Sequence, residues 1–123
     1  MGFSEAIQTV LTRRYADFQG RSRRSEFWWF VLFYCLLMAA ISFVIGSISE
    51  SLGSTLTFLA WLGLLVPYLA VGVRRLHDID RTGWWILIGF IPIIGAIVLI
   101  FFFVQRGTEG VNRFGPDPIR GIA

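Results

Sequence analysis

Three stretches without one charged residue constrain this chain more than anything else in it. The first runs from Phe27 to about Ile48, the second from Leu56 to Val73 and the third from Trp84 to Val104. As helices they extend about 33, 27 and 31 Å, against a hydrocarbon core of about 30 Å. Lipid offers backbone amides no partner, so a chain that crosses it alone does so as helix. Of 123 residues, 55% are hydrophobic and 15% charged. A water-soluble fold this small has too little interior to hide that much apolar surface. A soluble enzyme and a disordered segment are thereby excluded, and a single cysteine excludes a disulfide scaffold. The expected fold is an all-α integral membrane protein.

All eleven basic residues are Arg, and they flank the apolar stretches in groups. Residues 1–26 carry five, the 49–55 connection carries none, and the 74–83 connection carries Arg74, Arg75 and Arg81. Arginine marks the cytoplasmic side, so the expectation is a multi-pass protein with a cytoplasmic amino terminus and second connection. Trp28 and Trp29, then Trp84 and Trp85, stand where the first and third stretches begin, a depth at which indoles anchor among headgroups. In the leader, Phe3, Ile7, Val10 and Leu11 recur at helical spacing, which predicts an amphipathic helix on the inner surface with Ser4 as its cap. Ser22 and Thr82 are placed to cap the helices that follow them. The long charged lead and the long apolar run after it do not fit a cleavable signal peptide.

The third stretch leaves two topologies open. Ile91-Pro92-Ile93-Ile94-Gly95 falls near its middle; proline removes a backbone donor and kinks a helix, and Gly95 permits a turn. One topology is a kinked helix spanning 84–104, with the tail 105–123 outside. The other is a re-entrant hairpin of two half-helices, Trp84–Ile91 and Gly95–Val104, which returns the Gly/Pro-rich tail to the cytoplasm. Within the apolar stretches there is no ionisable Asp, Glu, Lys, Arg or His, the usual mark of a proton or ion pathway. Cys35 reads as a buried small hydrophobe. Ser42 and Gly46 form a small-xxx-small pair suited to close packing within or between subunits.

Three blocks stand out together: FQGRSRRSEFWW at 18–29, VRRLHDIDRTGWW at 73–85 and GTEGVNRFGPDP at 107–118. In order and spacing they resemble the YhaH/YhaI-type family of small bacterial inner-membrane proteins, a domain of unknown function numbered 805. The resemblance implies a bacterial inner-membrane location and supplies no activity. The family pattern often has Gly at the position of Asp80 and Tyr at that of Phe114, so a tyrosine hydroxyl has no part in any shared chemistry here.

The residues of these blocks admit two readings. In the first, Arg74, Arg75 and Arg81 pin helix ends to lipid phosphates, Asp78 pairs with Arg74 one turn away, and Glu26 pairs with Arg23 or with an Arg of the second connection. In the second, His77, Asp78 and Asp80 beside these guanidiniums, joined by Asn112 and Arg113 from a cytoplasmic tail, make a composite phosphate site. With Arg23 and Arg24, these are the candidates for binding lipid phosphate or a partner. One His and one distant Cys do not make a four-ligand zinc site, and neither a metal nor another cofactor is expected. Small groups of Arg at membrane boundaries are not the stripe that a nucleic acid needs. The expected function is a non-enzymatic membrane subunit or homo-oligomer whose cytoplasmic Arg/Trp face binds anionic phospholipid headgroups or a partner membrane protein. The alternatives are an oligomeric transporter or channel, and a membrane enzyme acting on a phosphorylated lipid.

Overall fold

Two long helices carry the architecture of the computed structural model, which describes residues 2–119. The first runs Arg24–Ile48 and the second Glu50–Asp78. At 1.5 Å per residue they extend about 37 and 43 Å, each longer than a hydrocarbon core. Ser49 alone joins them, in an extended conformation, and its hydroxyl oxygen accepts from the Leu52 amide at 3.2 Å. Most of the expected 49–55 connection is therefore helical, because one capping serine suffices to reverse the chain. The helices touch closely there: a Cβ on Gly53 would stand 2.7 Å from the Gly46 Cα. The small residue Gly46 thus serves packing within this chain.

The leader helix, Phe3–Gln8, continues through a wider turn at Thr9–Arg13. Part of its apolar face turns inward, while Phe3 stays exposed. Val10 is fully buried in a cluster with Phe27, Phe30, Val71 and Leu76, and Ile7 and Leu11 pack against that cluster. Ser4 is no cap, since Gly2 occupies that position without a side-chain bond. Arg23 and Thr82 hold the cap positions of the elements that follow them, again without a side-chain bond.

The second helix contains Pro67, which has no N–H to give the Gly63 carbonyl one turn back. The Tyr15 hydroxyl, just beyond the leader helix, donates to that carbonyl instead. A proline inside one helix thereby fixes where the leader segment docks.

The third apolar stretch is a hairpin. A 3-10 helix, Gly83–Phe90, descends and an α-helix, Ile94–Val104, returns. At rises of about 2.0 and 1.5 Å per residue, each limb extends about 16 Å, half a bilayer. Pro92 does break the stretch, but Gly95 does not make the turn. The turn is centred on Ile93, at φ 65° and ψ −63°, with the Ile94 amide donating to the Pro92 carbonyl at 2.7 Å. That is a classic γ-turn, an uncommon and strained conformation for a β-branched residue. Gly95 serves close approach instead, because a Cβ there would collide with the Ile88 carbonyl. Cys35 is exposed on the first helix, not buried, because no element covers that face.

Candidate functional site

The returning limb delivers the tail to the end of the molecule where the second helix stops, and the three blocks meet there. Leader residues Arg21, Ser22 and Glu26, helix residues Arg74, Arg75, His77 and Asp78, and tail residue Asp117 are all buried. They include three guanidiniums and three carboxylates, so the buried set is balanced in charge. Burying a charge without a partner is costly, and this cluster leaves little unmet.

Asp78 stands at its centre. Arg21 Nε donates to Oδ1 at 3.0 Å and Arg75 Nη1 donates to Oδ2 at 2.8 Å. The expected pairing of Asp78 with Arg74 is not formed. Arg74 turns the other way, donating to the Ser22 hydroxyl at 2.8 Å, to the backbone carbonyls of Asp17 and Arg14 at 2.7 and 3.1 Å, and to Glu26 at 3.4 Å. Glu26 therefore pairs with the second connection and not with Arg23. Ser22 serves this bond where a helix cap was expected.

The remaining donors of Arg21 and Arg75 hold irregular backbone. Arg75 donates to the carbonyls of Phe103, at 3.2 Å, and Gln105, where the last helix ends. Arg21 donates to the carbonyls of Thr108, Gly110 and Gly115. A tail with so many Gly and Pro cannot satisfy these groups by helix or sheet, and a five-donor guanidinium can. In return the Thr108 amide donates to the Asp78 carbonyl at 2.7 Å. Gly107 passes so close that a Cβ would collide with the Asp78 carboxylate. Asp117 accepts from the amides of Gly110 and Ile119 at 3.0 and 2.9 Å, holding the tail on itself.

The end of the second helix puts Asp80 in a backbone conformation unusual for its residue type. The Arg81 amide donates to the Leu76 carbonyl at 2.9 Å and the Asp80 amide to the His77 carbonyl at 3.0 Å. These are the two bonds of a Schellman motif, and they put Asp80 at φ 61°, where glycine is the easiest residue to place. Aspartate tolerates that conformation, and here its carboxylate accepts from Arg113 Nε at 3.1 Å on the exposed surface. Asn112 Nδ2 donates to the His77 carbonyl at 2.9 Å. The Phe114 ring stacks on the His77 imidazole with centroids 4.0 Å apart and planes at 2°. His77 Nδ1 lies 2.9 Å from the Gly20 carbonyl.

These groups lie beyond Val73, where the uncharged stretch ends, and burial sets their titration. It pushes the Asp78 carboxyl up against the opposing pull of Arg75 and Arg21. It lowers the Arg75 guanidinium to about 10, so Arg75 stays charged near neutrality. It also lowers His77, against the hydrogen bond to the Gly20 carbonyl and with the help of the Arg113 and Arg74 charges, which favours the neutral ring on Phe114.

The candidates named from sequence thus divide. Arg74, Arg75, His77, Asp78 and Asn112 come together as an internal clamp, and the buried Arg74 and Arg75 have no access to a lipid phosphate. Arg113 sits outside that clamp on Asp80. Arg81 lies over the rings of Phe102 and Trp85, at 4.4 and 5.3 Å. Arg24 is exposed and donates to the Val104 carbonyl at 3.2 Å. Trp28 donates to the Phe103 carbonyl at 3.2 Å, Trp29 meets Phe3 edge to face, and Trp84 and Trp85 are exposed. Sequence reasoning missed Arg21 and Asp117 as members of the clamp. The signal for both was their place inside the two flanking blocks.

The model of the DUF805 family, described as a protein of unknown function, matches residues 15–116. The chain belongs to this family. It is 45% identical to the inner membrane protein YhaI of Escherichia coli strain K12 over 109 residues, covering 86% of this chain and 89% of that one. It is 42% identical to the inner membrane protein YhaH of the same strain over 113 residues, covering 86% and 90%. A more distant relative, the uncharacterized protein YiiR of that strain, is 28% identical over 127 residues, covering 82% and 85%. No solved structure matches. The DUF805 match spans the leader block, the second connection and the tail through Pro116, which build the clamp together with Asp117 just beyond. This DUF805 member is a small inner-membrane protein.

Proposed function

We infer that this protein is a non-enzymatic, multi-pass membrane component whose clamped end docks on anionic phospholipid headgroups. The supporting observation is how the guanidiniums divide. The buried ones are matched by buried carboxylates. Arg14, Arg106 and Arg113 each pair with an acid nearby, at 2.8, 3.0 and 3.1 Å. Arg13, Arg23, Arg24 and Arg81 have no carboxylate partner among the described residues; Arg23 and Arg24 stand where the first long helix begins, Arg81 just before the hairpin, and Arg13 at the end of the leader helix. Each such cation near an anionic leaflet is worth about 1 kcal/mol. At the opposite end of the two long helices the only charge is Glu50. That asymmetry orients the leader, the second connection and the tail toward the cytoplasm, with two spanning helices and a re-entrant hairpin. The two carboxylates of the enzyme reading do not converge, since Asp78 is held between the guanidiniums of Arg21 and Arg75 and Asp80 faces outward on Arg113.

Lipid retained through purification tests the reading. The protein is expected to carry phosphatidylglycerol in excess over phosphatidylethanolamine, and replacing Arg13, Arg23, Arg24 and Arg81 together by Gln is expected to remove that excess. Retention of the excess by the quadruple variant overturns it. Paired reporter fusions at the carboxyl terminus test the orientation, and a periplasmic signal there overturns the hairpin topology.

One observation favours a second reading, a homo-oligomer. A cleft of about 780 Å³ opens between the long helices in their far half, lined by Tyr34, Ser42, Ser54 and Thr57. Their hydroxyls make no hydrogen bond among the described residues, and at membrane depth a partner helix can supply one.

A further inference from the structure

We propose that one acyl chain of an anionic phospholipid occupies the groove between the first helix and the returning limb of the hairpin, with its phosphate on Arg24. The inference deepens the headgroup-docking reading by giving the lipid a defined seat, and it rests on that reading.

The groove has a volume of about 380 Å³, and its walls are almost wholly apolar. Trp28 and Val31 of the first helix form one wall, Ala96, Leu99 and Ile100 of the returning limb the other, and Gly72 of the second helix lies at its floor. A Cβ at that floor would stand 2.9 Å from the terminal methyl of Ile86, which would have to move aside. The space lies within the range of small-ligand sites, about 300–1,000 Å³. It is too small for a partner helix: a cylinder about 10 Å wide takes up about 420 Å³ per 5.4 Å turn. A single extended chain is the occupant that fits an apolar slot of this size.

The mouth of the groove supplies the charge. Arg24 lies one helical turn before Trp28, on the same face of the first helix, so the stripe Arg24–Trp28–Val31 leads from the polar end into the slot. Trp28 and Arg24 both reach across to the last helix, donating to the Phe103 and Val104 carbonyls at 3.2 Å each. These bonds hold the two walls at a fixed spacing without filling the space between them. Arg24 has no carboxylate partner among the described residues, and this one carbonyl engages only part of its five-donor fork. The rest can hold a phosphate two oxygens at a time. Arg75, directly beneath, cannot compete for that phosphate, since Asp78 and backbone carbonyls occupy it.

Native mass spectrometry of the full chain, released from detergent with dioleoyl phosphatidylglycerol or dioleoyl phosphatidylethanolamine, tests the seat. The wild-type protein is expected to retain one phosphatidylglycerol about tenfold more tightly than phosphatidylethanolamine. Ala96→Phe fills the slot and is expected to weaken that site about tenfold. Ile100→Trp fills it from an exposed position that tolerates bulk, and serves if Ala96→Phe fails to fold. Arg24→Gln is expected to abolish the preference between the two lipids while a lipid is still retained. Unchanged affinity in both folded filling variants overturns the acyl seat. If that occurs while Arg24→Gln still loses the preference, headgroup docking at the rim survives. No preference in the wild-type protein defeats both.

Discussion

The two ends of this molecule are closed by opposite means. At the far end one serine and two glycines bring the long helices together, with Gly46 against Gly53 and only Glu50 charged. At the other end three separate pieces of chain are tied by buried guanidiniums. The far end joins consecutive helices whose backbone groups are already satisfied, so small side chains suffice. The clamped end must hold irregular backbone from residues 105–117, which only side-chain donors can satisfy. What decides whether a membrane protein buries charge at its surface is thus the amount of non-helical chain it must hold there.

The sharpest way to break this contrast is Asp78→Ala. It leaves Arg21 and Arg75 buried without their shared carboxylate and is expected to cost about 3–5 kcal/mol, read as denaturant unfolding in detergent. Glu50→Ala at the exposed far end is expected to change the same measurement by less than about 0.5 kcal/mol. Equal effects at the two ends would defeat the contrast. Next in size is Ile93→Gly, which relieves the positive φ at the hairpin tip and is expected to stabilise by about 1 kcal/mol, the low end of such strain. Tyr15→Phe removes the donor to the carbonyl freed by Pro67 and is expected to cost about 1 kcal/mol. A smaller effect concerns pH. The folded His77 titrates below its ordinary 6.5, so its contribution is complete above that value and is lost as the pH falls through the lower folded one. Hydrogen exchange of the tail amides is expected to speed up over that fall, and His77→Gln is expected to flatten the response. Smallest is Arg106→Gln, which removes an exposed pair with Glu109 at 3.0 Å and is expected to cost less than about 0.5 kcal/mol.

The sequence made the elements legible and the pairings illegible, for a physical reason. Uncharged runs report membrane depth directly, so the long helices and the break at Pro92 follow from a single chain. A guanidinium's partner depends on what lies across from it. Arg74 and Asp78 are one turn apart and geometrically free to pair. Glu26 and Ser22 face Arg74 from the leader, the carbonyls of the last helix face Arg75, and those placements decide the outcome. No periodicity announces that a tail carbonyl will need Arg21. The turn at Ile93 was equally hidden, because the residue that adopts the positive φ is β-branched while a glycine stands two positions on.

The clamp also imposes an order on how the protein is made. Arg21 leaves the ribosome first, Asp78 follows, and residues 108–117, which enclose them, come after both. Until residues 108–117 emerge, both long helices can already be in place while the guanidiniums they carry stay hydrated at the surface. A chain that stops short would be inserted yet unsealed, with charged groups and loose backbone open to any protease that samples that face. Closure over Asp78 therefore waits on residues 108–117, which are made well after both long helices.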